Sequence, residues 1–152
     1  MKDWIPPSTD CLKFNVDGSA RGKPGPAGIG GVLRDSNGKI FCLFSFYVGV
    51  SDSNSAEIWA IPRAIDLCIS NRNLNGRVVS IVSDSKIAVS WVNGGDFGNF
   101  GHMSTILEAR QNLAARGLME VVHESRAFNS FADSLAKMGS NSSGDFVEWG
   151  DF

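Results

Sequence analysis

A chain of 152 residues with 43% hydrophobic side chains and a mean hydropathy of −0.04 can bury one ordinary core, which predicts a single domain. Sixteen acidic against 14 basic side chains give a formal charge of −2, so the composition announces no polybasic surface of the kind that grips nucleic acid by charge alone. Three cysteines, Cys11, Cys42 and Cys68, lie in or beside apolar stretches without a C-x-x-C pair, which predicts reduced, buried thiols in an intracellular protein.

The leader MKDWIPPSTD carries charge and two prolines in place of an apolar core, and the longest apolar-rich run, Ile40 to Val50, is too short to span a bilayer. Neither secretion nor a membrane is expected. From Cys11 the sequence alternates, with Leu12, Phe14 and Val16 on one side and Lys13, Asn15 and Asp17 on the other, which predicts a half-buried strand. The stretch GSARGKPGPAGIGG reads as a turn-rich loop leading into a strand over 27–33. Asn37-Gly38 is a strong hairpin signal and joins that strand to another over 39–47.

The period then changes. Ile58, Ile61, Ile65, Cys68 and Ile69 fall at helical spacing, with Ser53 or Asn54 as the expected cap and Glu57 in the first turn. Pro62 interrupts this helix and predicts a kink, since an interior proline removes a backbone hydrogen bond. Val78 to Ser83 is almost continuously apolar, which suits a central strand covered on both faces, and Asp84 follows at its end. Helices are predicted over 85–92 and 102–116, a last strand over 118–122, and a last helix marked by Phe128, Phe131, Ala132 and Leu135. The expected architecture is α/β: a mixed five-stranded sheet, three antiparallel strands followed by parallel ones, flanked by helices over residues 4–139. Residues 140–152 read as a flexible tail.

Four acids stand out by placement: Asp17 on the polar face of the first strand, Glu57 early in a helix, Asp84 ending a core strand, and Asp133 on the last helix. Singly, each is better explained as a solvated carboxylate or a cap. Together they call for a cation, because ligand sites gather at the carboxyl ends of parallel strands and clustered carboxylates repel unless a cation joins them. Hard oxygen donors suit Mg²⁺ or Mn²⁺.

The run FNVDGSARGKPGPAGIGG, NSAE at 54–57, SDS at 83–85 and H-x-x-x-x-x-N-x-x-x-D from His123 through Asn129 to Asp133 resemble, in order and spacing, the type 1 ribonucleases H. With W-I-P-P at 4–7, R-x-x-N at 126–129 and ADSLAK at 132–137, the chain is most similar to the ribonuclease H domains of plant retroelement-derived proteins. The resemblance implies a nuclease that cuts the RNA strand of RNA/DNA hybrids with two Mg²⁺ ions, Mn²⁺ substituting, about 3.5–4 Å apart. It implies that Asp17, Glu57, Asp84 and Asp133 hold the metal and that His123 helps proton transfer or product release. Gly18, Ser19 and Asn54 match positions beside the hybrid's minor groove, where 2′-hydroxyls distinguish RNA from DNA. Asn129 either touches substrate or caps its helix, and Lys86 and Arg126 are the basic residues near the motifs. A monomer is expected, with a fused or associated reverse transcriptase among its partners.

Only 38 residues separate Asp84 from His123, too few for the additional basic helix that some members of that family use to grip the hybrid. Ala127 stands where the plant version leads one to expect glutamate. These departures keep a second reading open, a catalytically feeble nucleic-acid-binding or structural module. A third is another nuclease on the same fold, such as a 3′-5′ exonuclease or a transposase-type enzyme.

Overall fold

The alternation at the start of the chain becomes strand β1 (Cys11–Ala20), with Leu12, Phe14 and Val16 completely buried on one face. β2 (Gly25–Arg34) and β3 (Ile40–Ser51) follow as antiparallel neighbours. The hairpin between them is closed by Asp35, whose carboxylate accepts from the amides of Asn37 and Lys39 at 2.9 Å, while Gly38 supplies the positive φ of 85° that the turn requires. The computed structural model describes residues 3–96, 100–141 and 144–152.

Helix α1 (Ser53–Ser70) runs unbroken through Pro62. Its cap is Asp52, not Ser53 or Asn54. Asp52 has extended backbone angles and its carboxylate accepts from the Ser55 amide at 2.7 Å, whereas Ser53 and Asn54 already lie inside the helix. β4 (Val78–Ser83) then enters the sheet parallel to β1. Ser85 caps α2 (Lys86–Val92) through the Ala88 amide at 3.1 Å. α3 (Met103–Arg116) leads to β5 (Met119–His123), parallel to β4, and α4 (Ser130–Ser140) follows.

The sheet order is β5-β4-β1-β2-β3-β6, six strands rather than five. The additional strand, β6 (Phe146–Trp149), comes from the segment expected to be a tail and pairs antiparallel with β3. Phe152 stacks on Phe41 with ring centroids 4.9 Å apart. The polar run SNSSGD before it masks a short aromatic strand that only a neighbouring edge can stabilise.

Helices α1, α2 and α3 lie on the face of Leu12, Phe14 and Val16, where Phe14 meets Phe44 edge-on at 5.7 Å and packs with Ile61, Ile65, Ile81 and Ile106. α4 covers the opposite face of β1, β2 and β3. β1 is therefore buried on both faces. Lys13, Asn15 and Asp17 are only 5%, 0% and 3% exposed, which corrects the half-buried reading of that strand. Cys42 and Cys68 are buried and Cys11 is half-buried, all three with free thiols. No helix among the described residues is long and apolar enough to cross a membrane.

Candidate active site

Asp17 near the end of β1, Glu57 in the second turn of α1 and Asp84 just past β4 each place one carboxylate oxygen within 4.8 Å of the other two. Asp133, on α4, lines the same cleft of about 200 Å³ together with Gly18, Ser19, Ser53, Arg126 and Lys137. The fourth carboxylate is thus beside the cluster of three rather than within it. Its Oδ2 pairs with Lys137 Nζ at 2.9 Å, one helical turn on.

Two glycines allow these elements to converge. A Cβ on Gly18 would fall 2.4 Å from the backbone nitrogen of Glu57, so only glycine lets α1 come down onto β1 and bring Glu57 to Asp17. A Cβ on Gly30, the residue paired with Asp17 across β1 and β2, would fall 2.5 Å from the Ala136 nitrogen and hold α4 away. The glycines read as a loop are thus largely inside strands, and only residues 21–24 connect β1 to β2.

The convergence is electrostatically unfavourable without a cation. Burial, then the charge of Asp84, then contact with Asp133 and Glu57 push the Asp17 carboxyl up to about 9. Burial and Asp84 likewise raise Glu57 to about 7, against the opposing hydrogen bonds of Ser85 and Asp17. A divalent ion relieves both effects at once, by neutralising the repulsion and replacing lost hydration with direct bonds. The donors are all carboxylate oxygens with no thiolate or imidazole among them, which fits a hard cation.

His123 ends β5, exposed, in register with Ser83 and so one residue from Asp84 on the adjacent strand, but outside the cleft. Asn54 is exposed on the other side, beside Ser55, Ser85, Ile87, Trp91 and His102. Gly18, Ser19 and Arg126 line the cleft; Lys86 opens α2, exposed and away from it. Asn129 stands at the N-cap position of α4. It is 2% exposed and makes no side-chain cap bond, because its amide is committed to Asn15 and to the Val16 carbonyl. Lys137 was missed as a site residue, although its position four residues after Asp133 on a helix is a readable ion-pair spacing.

The profile of the reverse transcriptase-like family matches residues 15–139. A candidate ribonuclease H protein of Arabidopsis thaliana is 29% identical over 136 residues, covering 90% of this chain and 22% of the relative. Ribonuclease HI of Halobacterium salinarum is 30% identical over 125 residues, 79% of this chain and 59% of its own length. The chain thus spans less than two thirds of either relative. Among solved structures, a ribonuclease H isolated from compost by a metagenomic approach superimposes with a TM-score of 0.80 at 29% identity, over 89% of this chain and 99% of that one. The same enzyme in complex with an RNA/DNA hybrid gives a TM-score of 0.77 over 87% and 98% of the two chains. On these matches and on the six-stranded architecture, the chain belongs to the reverse transcriptase-like family and is a type 1 ribonuclease H in fold.

Proposed function

We propose that this cleft hydrolyses the RNA strand of RNA/DNA hybrids, with Mg²⁺, or Mn²⁺ in its place, held by Asp17, Glu57, Asp84 and Asp133. The observation that carries the reading is the meeting of three carboxylate oxygens within 4.8 Å around an Asp17 that is 3% exposed. Two cations at such a site would supply an activated water and neutralise charge at the phosphate. In the reaction, water adds to phosphorus as the P–O3′ bond breaks, leaving a 5′-phosphate and a 3′-hydroxyl.

This chain's residues prepare the site for that chemistry. Asp17, Glu57 and Asp84, drawn from three different elements, fix the donor geometry before substrate arrives, which is where electrostatic preorganisation gains its effect. Lys137 and Arg126 put positive charge at the rim of an otherwise acidic cleft, where a phosphate backbone would lie. Lys137 can leave Asp133 for a phosphate oxygen, since its side chain is 59% exposed. Gly18 and Ser19 present backbone beside the cluster, and Asn54 faces the flank where a minor groove would pass. His123 stands exposed at the end of β5, where it would help proton transfer or product release. Raised carboxyls make protons compete with the cation, so metal affinity rises with pH. The family's description supports a reverse transcriptase, fused or associated, as a partner.

The test is incubation with a labelled RNA/DNA hybrid, single-stranded RNA and duplex DNA, each with Mg²⁺, Mn²⁺ or EDTA. The hybrid alone is expected to be cut, and only with metal. One observation favours the weaker, binding-module reading: the segment from Asn93 to His102, between α2 and α3, contains no lysine or arginine. Metal-independent hybrid binding without cleavage would decide for it.

A further inference from the structure

The catalytic proposal leaves unused a buried polar relay on the face of β1 opposite the main core. Trp4 Nε1 donates to Asn15 Oδ1 at 3.1 Å, Asn15 Nδ2 donates to Asn129 Oδ1 at 3.0 Å, and Asn129 Nδ2 donates to the Val16 carbonyl at 2.9 Å. An indole N–H can only donate and a carbonyl can only accept, so the two ends fix the orientation of both amides. Asn15 and Asn129 are 0% and 2% exposed, and chained hydrogen bonds in such surroundings strengthen one another.

The relay joins the leader to the helix that carries a site carboxylate. Asn129 precedes α4, and its carbonyl accepts from the Asp133 amide at 3.1 Å, the bond that sets Asp133 in the first turn. Asn15 lies two residues before Asp17 on the same face of β1. The leader is anchored from both sides. The Arg34 guanidinium lies 4.2 Å from the centre of the Trp4 ring, and Ser130 donates to Asp3 at 3.1 Å. Lys13 Nζ bonds the Ile5 carbonyl at 2.7 Å and Glu124, next to His123, at 2.6 Å.

We infer that residues 3–7 are a positioning strap for the catalytic centre, acting through Trp4, Asn15 and Asn129 on the placement of Asp133 relative to Asp17. Trp4 and Asn15 are positioning residues: neither lines the cleft. The strap holds the start of α4 against β1, where a small rotation of the helix would swing Asp133 away from the other carboxylates. This inference rests on the proposed metal-dependent cleavage, but its physical content is separable from it.

The test compares the full chain with Trp4→Phe, which removes the N–H donor and keeps a ring under Arg34, and with Asn15→Leu, which breaks the relay at its centre. Ile106→Val, a loss of one buried methyl group in α3, is the control for general destabilisation. Three quantities are measured: amide exchange at Asp133 against Val32 in the sheet, Mn²⁺ binding by calorimetry without nucleic acid, and kcat and KM on the hybrid. In Trp4→Phe the Asp133 amide is expected to exchange roughly fivefold faster relative to Val32, the ratio one net hydrogen bond commands. Mn²⁺ affinity should fall, and kcat should fall with KM unchanged. Ile106→Val should lower the melting temperature and move none of the three. Exchange at Asp133 and a Mn²⁺ isotherm identical to wild type in Trp4→Phe would overturn the inference and leave the leader a structural segment. A wild type that cuts no hybrid would refute the cleavage proposal alone, because the exchange and Mn²⁺ measurements do not pass through cleavage.

Discussion

Replacing Asp17 by Asn should stabilise the metal-free protein, although it removes a central carboxylate. In the folded chain Asp17 keeps its proton up to about 9, whereas its ordinary value is 3.8. Between those values the folded state holds more protons than the unfolded state, so stability falls as pH rises. Glu57, raised from 4.5 to about 7, acts in the same direction over a narrower window. At pH 7 the Asp17 contribution is on the order of 4 kcal/mol of lost stability, from about three pH units above 3.8 at about 1.4 kcal/mol each. Asparagine has nearly the same shape, is neutral at every pH, and can still accept from the Gly18 amide as Asp17 does at 2.9 Å. A rise in melting temperature of at least roughly 5 °C in EDTA at pH 7 is expected, at about 2–4 °C per kcal/mol for a chain of this size. Thermal unfolding at pH 5, 7 and 8.5 should show wild type losing stability with pH and Asp17→Asn following a flatter course. Saturating Mg²⁺ should close the gap, since the intact cluster gains more from the ion. A variant less stable than wild type in EDTA at pH 8.5 would refute the reasoning and mean that a cationic group, not a metal ion, is the partner of Asp17.

Pro62→Ala restores a backbone donor inside α1 and should raise stability by about 1–3 kcal/mol in denaturant titration; a loss would show that the proline ring is needed against α3. Truncation before Asp145 removes β6 and uncovers Phe41, and should cost at least about 2 kcal/mol, the scale for one large apolar side chain. An unchanged midpoint would return this segment to a mobile tail. Hybrid binding should show a shallow salt dependence, with a slope of log affinity of roughly −2 to −4 for a few phosphate contacts at about −0.9 each. A steep slope would reveal a basic surface that the net charge of −2 conceals.

The helices and central strands were legible because burial of one apolar stripe leaves a strong period. Val78–Ser83 reads as a strand covered on both faces; it is a strand with Val79, Ile81 and Val82 buried, but Val78 is 40% exposed, because α4 covers β1, β2 and β3 rather than β4. Ile58, Ile61 and Ile65 read as a buried helix face and are 3%, 0% and 0% exposed. The acids were legible only as a set, since the meeting of Asp17, Glu57 and Asp84 in a cleft that Asp133 also lines depends on chain crossings that no local pattern records. Glycine misled for a physical reason. In GSARGKPGPAGIGG the residue that marks turns is used instead to admit helices, at Gly18 for α1 and at Gly30 for α4. Asn15 and Asn129 were opaque because a buried amide pair and an exposed substrate contact use the same residue type, and only the relay to Trp4 and the Val16 carbonyl tells them apart. β6 was hidden because a four-residue edge strand takes its order from β3 rather than from its own sequence.

The most direct measurement sets wild type beside Asp84→Asn on a hybrid labelled in its RNA strand, with Mg²⁺. The change is nearly isosteric and removes one of three carboxylates that meet within 4.8 Å. Wild type should shorten the RNA strand and leave the DNA intact, while Asp84→Asn should leave both intact with an unchanged circular dichroism spectrum and equal or higher stability in EDTA. Wild-type turnover by Asp84→Asn, or a correctly folded wild type inert on the hybrid with Mg²⁺, would contradict the account.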